Sequence, residues 1–182
     1  VDFFIYNGDF DSLQLVDGRV KAFIVNRGIR NAVIYDADKV KEKFGVSPAQ
    51  IPALKALAGD ASDNIPGAPG IGPKAAVEIL SKCGTLERAF AEIETPPDGF
   101  CFGAGKHGEN LKDILLRYKK QIFNFQKLAA MMADAPLGAV LGKCDFKNFS
   151  AVGARAALLE RGLAGIAKRL PVAGAGVNRT LF

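Results

Sequence analysis

Two aspartates one helical turn apart are the residues of this sequence best suited to chemistry. Asp60 and Asp63 lie in the stretch GDASDN, residues 59–64. In helical or turn geometry, residues at i and i+3 lie on the same face, so both carboxylates can converge on one cation. Magnesium takes hard oxygen ligands and usually binds through a few carboxylates and substrate phosphates. The spacing therefore indicates a magnesium site, and the alternative is that both aspartates cap turns.

A loop rich in glycine and proline follows these aspartates and ends on Lys74. Gly67, Gly70 and Gly72 allow positive φ angles and a close approach of the backbone to a partner. Pro73 is a favourable first residue of a helix, so Lys74 would stand beside free backbone N–H groups and the positive end of the helix dipole. A phosphate binds readily at such a helix start. The alternative is an ordinary tight corner between two helices.

A second pair of aspartates follows the first predicted strand. Residues 3–6, FFIY, form a continuous apolar run of the kind found in buried parallel strands, and Asp9 and Asp11 come soon after it. Ligands of open α/β sheets bind at the carboxyl ends of the strands. At i and i+2 of an extended chain, the two side chains would face one side. On these residues alone, a solvated turn is the preferred interpretation.

The elements that must position these residues are short strands and amphipathic helices. Apolar runs predict strands, whereas apolar residues three or four apart, bounded by glycine or proline, predict helices. The predicted strands cover 3–6, 20–25 and 32–35, and the predicted helices cover 36–44, 49–58, 75–82, 85–94 and, as one helix or two, 110–132. Both aspartate pairs therefore stand just beyond the ends of predicted elements.

Composition and charge are those of an ordinary globular protein. Of the 182 residues, 49% are hydrophobic and 24% are charged, and the net charge of +5 permits a polyanionic partner without requiring one. The three cysteines are widely spaced, so they indicate neither a disulfide framework nor a zinc site and favour a reducing compartment. No apolar run approaches the roughly 20 residues that span a bilayer, and no secretory leader is visible. We expect an intracellular protein, in the cytoplasm, the nucleoid or an organelle, and not a secreted one.

Three runs of the sequence resemble one known family. Residues 59–80, GDASDNIPGAPGIGPKAAVEIL, resemble the helix-three-turn-helix (helix-hairpin-helix-like) segment of the 5′ nuclease superfamily, which includes bacterial and phage flap endonucleases and the 5′ to 3′ exonuclease domain of DNA polymerase I. NGDFDSLQLV and YDADKVKEKFGVSPAQIPALKALAGD resemble the same family in order and spacing. The resemblance implies an α/β fold. Its parts would be the C-terminal portion of a PIN-like parallel-sheet nuclease core over residues 1–46, a helix-three-turn-helix and helical subdomain over 47–170, and a tail over 171–182.

The activity that the resemblance implies is metal-dependent hydrolysis of DNA phosphodiesters, as a 5′ to 3′ exonuclease or flap endonuclease of DNA replication and repair. Such hydrolysis is served by two cations, Mg²⁺ or Mn²⁺, about 3.5 to 4 Å apart. The resemblance gives the catalytic and metal-binding roles to Asp9, Asp11, Asp60 and Asp63. The hairpin residues that would hold duplex backbone without reading sequence are Gly67, Gly70, Ile71, Gly72 and Lys74. Carbonyl groups of this hairpin would also bind K⁺.

The sequence departs from the family in two places and lacks one part of it. Phe10 stands where the family usually has a lysine, and Ala53 stands where it usually has an acidic residue. The chain begins at Val1 and enters a strand pattern at once, which suggests a fragment. The family's other acidic residues and its basic helical arch would lie in an N-terminal half that these 182 residues do not contain. We therefore expect this fragment alone to be inactive, and activity to require the complete protein or a chain that supplies that half.

Two other functions remain to be weighed. One is a noncatalytic, nuclease-derived nucleic-acid-binding or structural subunit of a larger assembly. The presence of all four aspartates argues against it, because an acidic cluster without metal suffers mutual repulsion. The other, a small-molecule enzyme on a doubly wound sheet, is not favoured because no dinucleotide-binding fingerprint follows a predicted strand. The partners that the resemblance implies are DNA with 5′ ends, flaps or branches and, for the whole protein, a polymerase.

Overall fold

A three-stranded sheet forms the N-terminal part of the chain. Its strands, in the spatial order β1-β2-β3, are β1 (Phe3–Asn7), β2 (Val20–Ile24) and β3 (Val33–Tyr35). β1 and β2 are parallel, because residues 8–19 between them are long enough for a crossover. β3 runs antiparallel to β2, because residues 25–32 make too short a connection for one. The predicted α/β class is confirmed, and the sheet is mixed where a parallel one was expected.

The computed structural model describes residues 2–25, 29–95 and 106–136 and, with short gaps between 137 and 148, residues 138–170. The chain divides into two compact units, Val1–Ala133 and Asp134–Phe182. Every residue predicted for the site belongs to the first unit. The predicted tail, residues 171–182, lies outside the described residues.

Local capping chemistry sets the ends of several helices. Asp36 accepts a hydrogen bond from the backbone N–H of Lys39 at 2.9 Å and begins the first helix, and Gly45, with φ of 75°, ends it. Thr85 begins the fourth helix in the same way. The α-helices of the described residues are α1 (Ala37–Phe44), α2 (Ile51–Ala58), α3 (Pro73–Cys83), α4 (Leu86–Glu94), α5 (Lys106–Ala129), α6 (Ala151–Glu160) and α7 (Ala164–Ala167). The bounds of α1 to α5 lie close to the predicted ones, and α5 is a single helix.

The hydrophobic core of the first unit lies largely among helices α2 to α5 and continues to the sheet through Ala22 and Ile24 of β2. α3 buries Ala76, Ile79, Leu80 and Cys83, which are spaced as one face of a helix requires. Other core members are Leu57, Leu86, Phe90, Leu111, Leu115 and Ile122. Full burial of one such large side chain contributes about 1.5 to 3 kcal/mol relative to exposure. The core thus fixes α2 and α3, the two helices that flank residues 59–72.

The sheet is less well covered than the helices. Phe4 is 58% exposed and Tyr6 is 66% exposed, although Tyr6 stacks on Phe23 with ring centroids 5.4 Å apart. The expectation of a buried first strand is therefore wrong. Among the described strands β1 pairs only with β2, which leaves its side chains and its other edge accessible.

The state of the cysteines and the length of the helices bear on two further expectations. Cys83 is fully buried and disulfide-bonded, whereas Cys144 is exposed and its sulfur is not in a disulfide. The interpretation of the spacing, which indicated no disulfide framework, therefore does not hold for Cys83. Across the described residues, every helix is either too short or too polar to cross a membrane.

Candidate active site

Asp9 and Asp11 are positioned by a short 3-10 helix, Phe10–Leu15, directly after β1. Asp9 caps this helix, and its side chain accepts a hydrogen bond from the backbone N–H of Asp11 at 3.0 Å. The Ser12 hydroxyl donates to the Asp9 carbonyl at 2.9 Å. This bonding uses one oxygen of Asp9 locally, while the Asp11 carboxylate is left to interact with residues far along the chain.

Asp60 and Asp63 stand in a tight turn between α2 and the loop that follows, which we term the acidic turn (residues 59–65). The backbones of Asp60 and Ile65 form a reciprocal pair of hydrogen bonds, of 2.8 and 2.9 Å. Ser62 donates twice to one carboxylate oxygen of Asp60, from its N–H at 2.9 Å and from its hydroxyl at 2.5 Å. The turn thus holds the Asp60 side chain in one orientation.

The structure brings three of the four predicted metal ligands together. Asp11, Asp60 and Asp63 each present a carboxylate oxygen, and these oxygens lie within 4.8 Å of one another. Asp9 does not belong to this trio, but together with Asp11 and Asp60 it lines a cavity of about 420 Å³. The cavity walls also include Phe10, Lys43, Phe44, Ile51, Leu54, Lys55, Ser62 and Val77. Residues distant in sequence therefore form one acidic site.

Lys55 of α2 is the functional residue that the sequence reasoning missed. Its ammonium group forms ion pairs with all three carboxylates of the trio: with Asp11, with Asp60 at 2.5 Å and with Asp63 at 2.9 Å. A signal was present, since Lys55 is the only charged residue in the apolar run IPALKALA of α2. A lysine in that setting, five residues before Asp60, indicates a partner of opposite charge.

The pKa values of these groups follow from burial and from Lys55. Burial raises the pKa of Asp11 above its ordinary value of 3.8, against the opposing hydrogen bond from Lys55. Burial acts in the same direction on Asp60, but hydrogen bonds from Lys55 and Ser62 outweigh it and lower the pKa of Asp60 to about 2. Burial disfavours the charged form of Lys55, yet its three carboxylate partners raise the pKa of the ammonium. Lys55 and Asp60 are thus both charged at neutral pH.

The loop after the acidic turn, which we term the glycine hairpin (residues 66–74), is held by backbone contacts. Gly67 has φ of 71°, and a Cβ atom there would lie 2.4 Å from the backbone N of Gly59. The N–H of Ala68 donates to the Leu57 carbonyl at 2.8 Å. Gly59 itself has φ of 84°. Two glycines therefore let the hairpin pack directly on the last turn of α2, beside the acidic turn.

The predicted DNA-contacting residues of the hairpin fall into different environments. Gly70 has a positive φ, 88°, whereas Gly72 is extended, with φ of −86°, and does not use the positive φ that glycine allows. Gly72 instead caps α3, where a left-handed conformation is not needed. Ile71 as a whole residue is 3% exposed and belongs to the core, so its side chain is not available to a partner. Lys74 is exposed in the first turn of α3.

The start of α3 also leaves backbone donors available. Gly72 has no side chain to cap the helix, and Pro73 has no N–H, so the first turn has no side-chain cap. The orphan N–H groups and the helix dipole favour an anion at this position. Lys74 adds a full positive charge beside them.

Comparison with solved structures finds a similar fold in two structures of bacteriophage T5 proteins. A structure of T5 5′-exonuclease with bound divalent metal ions (zinc) matches with a TM-score of 0.55 and 24% identity, covering 70% of this chain and 42% of the exonuclease. A complex of the bacteriophage T5 flap endonuclease with DNA and metal ions matches with a TM-score of 0.54 and 23% identity, with the same coverage. At this level of identity, the likeness concerns the fold.

Sequence comparison then gives the family. The family described as 5′-3′ exonuclease, C-terminal SAM fold, matches residues 46–151, and the chain belongs to this family. DNA polymerase I of Bacillus caldotenax is 40% identical over 133 residues, which cover 73% of this chain and 14% of the polymerase. The 5′-3′ exonuclease of Buchnera aphidicola subsp. Baizongia pistaciae is 39% identical over 130 residues, which cover 71% of this chain and 40% of that protein. The resemblance found in the motifs is confirmed, and the chain spans less than half of each of these relatives.

Proposed function

We propose that this chain is the C-terminal part of a divalent-metal-dependent 5′ to 3′ exonuclease or flap endonuclease that hydrolyses DNA. The observation that supports this most is the acidic trio of Asp11, Asp60 and Asp63 beside the glycine hairpin. The acidic trio offers oxygen ligands for a metal ion, and the glycine hairpin offers N–H donors for a phosphate. The proposed division is a nuclease core over residues 1–46, a helical subdomain over 47–170 and a tail over 171–182.

The donor set of the trio suits Mg²⁺ or Mn²⁺. Three carboxylate oxygens within 4.8 Å of one another are hard ligands, and an octahedral ion keeps its remaining positions for water and substrate oxygens. Asp11, Asp60 and Asp63 would hold one ion, and Asp9, which lines a cavity together with Asp11 and Asp60, would contribute to a second. When bound, such ions supply a nucleophilic water near neutral pH and stabilise charge on the attacking and leaving oxygens.

Lys55 gives the proposed metal site a competitor within the protein. Its ammonium contacts the same three carboxylates that a divalent ion would use, and its side chain is 13% exposed. Three carboxylates outnumber the single ammonium, so the trio keeps negative charge that favours a divalent ion. A bound metal and the present Lys55 contacts would compete for the same oxygens.

The glycine hairpin would hold the nucleic-acid backbone without reading sequence. The uncapped N–H groups at the start of α3, together with Lys74, are suited to one phosphate. Contacts to phosphate carry no sequence information, so this hairpin could accept many DNA sequences. A K⁺ ion at the hairpin carbonyls is a further part of the proposal, tested by comparing duplex affinity in potassium and lithium salts.

We further propose that the active protein needs an acidic segment beyond these residues. The sheet offers a place for it, since Phe4 and Tyr6 of β1 are largely exposed and the far edge of β1 has no described partner strand. An apolar face and an open strand edge of this kind normally pack against another element. The segment would come from the whole protein or from a separate chain.

One observation favours the alternative, a noncatalytic nucleic-acid-binding or structural subunit. Lys55 neutralises part of the charge of the acidic trio. The aspartates can therefore be held together without a metal, which removes the repulsion argument against a site that has lost its metal. The two functions differ in whether the trio binds Mn²⁺ and whether the whole protein cuts DNA.

The experiment measures Mg²⁺-dependent cleavage of a 5′-flap duplex by the full-length protein and by a variant carrying Asp60→Ala and Asp63→Ala. We expect loss of cleavage and of Mn²⁺ binding with retained DNA binding. Asp38→Ala, which removes an exposed aspartate outside the cavity, is the matched control and should leave all three properties unchanged. Equal cleavage by the double variant and the unmodified protein would refute the metal role, and absence of cleavage by the unmodified protein would favour the noncatalytic subunit.

A further inference from the structure

We propose that Lys43 is a substrate-positioning residue that binds a phosphodiester group of the nucleic acid at the edge of the acidic cavity. This inference rests on the proposed function, because it assigns one wall of the same cavity to the substrate. Lys43 lies in the last turn of α1 and lines the cavity together with Asp9, Asp11 and Asp60. It is distant in sequence from both the acidic turn and the glycine hairpin.

Three aromatic rings hold the Lys43 ammonium in place. Its Nζ atom lies 4.0 Å from the ring centroid of Phe10, 5.3 Å from that of Tyr35 and 5.7 Å from that of Phe44. The Phe10 ring meets the Tyr35 and Phe44 rings edge-on, at 6.0 and 5.8 Å. We term these three residues the aromatic seat. Cation–π attraction to several ring faces restricts a side chain that would otherwise sample many rotamers.

The charge of Lys43 is not neutralised by an ion pair within the described part of the chain. Its one recorded polar contact is a hydrogen bond to the Tyr35 hydroxyl at 2.9 Å, and no described carboxylate lies within 4.0 Å. An ammonium group has three donors, so donors remain for an anion. Lys55, the other cation of the cavity wall, already contacts three carboxylates. Of these two lysines, Lys43 is therefore the one suited to hold substrate.

The position of Lys43 in the cavity wall offsets the repulsion between the carboxylates and an anionic substrate. A cavity walled by Asp9, Asp11 and Asp60 repels a phosphodiester, which is itself an anion. A fixed positive charge on the wall of the same cavity offsets this repulsion and directs the strand towards the carboxylates. The phosphate at the glycine hairpin and the phosphate at Lys43 would then be two different points of contact. A merely structural lysine, which only bridges the aromatic rings, is the alternative that the experiment must separate.

The experiment uses the full-length protein and a 5′-flap duplex, with affinity measured over a range of salt concentrations without divalent metal. Lys43→Met keeps the apolar stem and removes the charge. We expect its Kd to rise by about three- to tenfold and its salt dependence to become shallower by about one, as for the loss of one phosphate contact. Lys43→Arg should restore the affinity. Lys41→Met removes an exposed lysine of the same helix that does not line the cavity, and should leave the Kd unchanged.

A second readout separates positioning from structure. In cleavage assays, Lys43→Met should raise KM with a much smaller effect on kcat, while Mn²⁺ affinity stays the same. An unchanged Kd and salt slope, with a lower unfolding temperature, would overturn the inference and make Lys43 structural. Should Lys43→Met not fold, Lys43→Gln is compared in the same titration, and an unchanged slope there has the same meaning. Weaker binding by Lys43→Met alongside a failed metal test would leave Lys43 as a nucleic-acid contact and refute only the nuclease proposal.

Discussion

The acidic turn and the glycine hairpin are neighbours in sequence but are built on opposite principles. In the acidic turn, side chains carry the function: Asp60 and Asp63 meet Lys55, and Ser62 orients Asp60. In the glycine hairpin, the absence of a side chain at Gly67 lets two stretches of backbone meet. A side-chain change in the turn should therefore alter charge with little change of shape, whereas a small addition to the hairpin should alter shape.

The position of the glycine hairpin also affects the position of the carboxylates in the acidic turn, but the reverse is not expected. Gly59, the first residue of the acidic turn, is the residue that Gly67 contacts, and the backbone pairing of Asp60 with Ile65 leads directly into the hairpin. A displaced hairpin would therefore displace the carboxylates. Loss of a carboxylate would leave the glycine contact intact.

The largest expected effect comes from Gly67→Ala. Its Cβ would lie 2.4 Å from the Gly59 N and 2.7 Å from the Ala58 carbonyl carbon, at a φ of 71° that disfavours any side chain. We expect a loss of about 3 kcal/mol or more in the free energy of unfolding, measured by urea denaturation. Gly72→Ala is the matched control, because a methyl group at Gly72 would have no other atom within 4 Å, and it should change stability by less than about 1 kcal/mol. Similar losses for both variants would contradict the backbone contact.

The next largest effect is expected for Lys55→Met, which tests whether the acidic turn depends on charge. Removing the ammonium leaves Asp11, Asp60 and Asp63 to repel one another, so the metal-free protein should lose about 1 to 3 kcal/mol of stability. Mn²⁺ affinity, measured by calorimetry, should rise, because the internal competitor is gone. Lys82→Met, which breaks an exposed pair with Glu78, should change neither quantity appreciably. Weaker Mn²⁺ binding by Lys55→Met would show that the ammonium assists the metal and does not compete with it.

A smaller effect is expected for Lys74→Ala, which tests the hairpin as a phosphate contact. The exposed ammonium stands beside the uncapped start of α3, so its loss should weaken binding of all duplexes alike. The salt dependence of log Kd should become shallower by about one, as for one phosphate contact. Lys82→Ala, in the last turn of the same helix, serves as the control. If Lys74→Ala altered the preference among DNA sequences, the hairpin would be reading bases.

The smallest expected effect is that of Ser62→Ala on the pH dependence of stability. The pKa of Asp60 is lowered from 3.8 to about 2, so ionised Asp60 stabilises the folded state above pH 3.8, and this contribution is lost as the pH falls through about 2. Removing the Ser62 hydroxyl should raise that pKa and lower stability by less than about 1 kcal/mol near neutral pH. The difference between the two proteins should disappear below about pH 2, where both carboxyls are protonated. An NMR titration of the Asp60 carboxyl group measures the shift directly, and an unchanged pKa would leave Lys55 as its main cause.

Features that depend on neighbouring residues could be predicted from the sequence. Gly45 and Thr85 end and begin helices where expected, because capping uses the side chain or φ angle of one residue and the backbone within one turn. The positive φ of Gly67 and Gly70 follows from the same local freedom. Asp60 and Asp63 were predicted to share a face, and their oxygens do lie close together.

Features that depend on distant residues could not be predicted in this way. Lys55 and Asp11 are separated by 44 positions, and no local pattern gives their contact. Ile71 and Phe4 are both large apolar residues, yet Ile71 is buried and Phe4 is exposed. The difference depends on which elements pack against each of them, and that cannot be read from the residue type. Glycine permits a positive φ at position 67, but it is the contact with the distant Gly59 that requires the residue to adopt it.

The amino-acid sequence by itself determined the chemistry that is available: four carboxylates, a glycine-rich loop, a helix start with a lysine, and the motifs that identify the family. Only the tertiary structure decided which of these groups meet. It brought Asp11 close to Asp60 and Asp63 and placed Lys55 among them. It also placed the Lys43 ammonium on the aromatic seat, where some of its N–H donors are available to an anion. The physical reason is that local conformation is set by short-range sterics and hydrogen bonds, whereas the packing of α2 against its neighbours fixes the distances between charges.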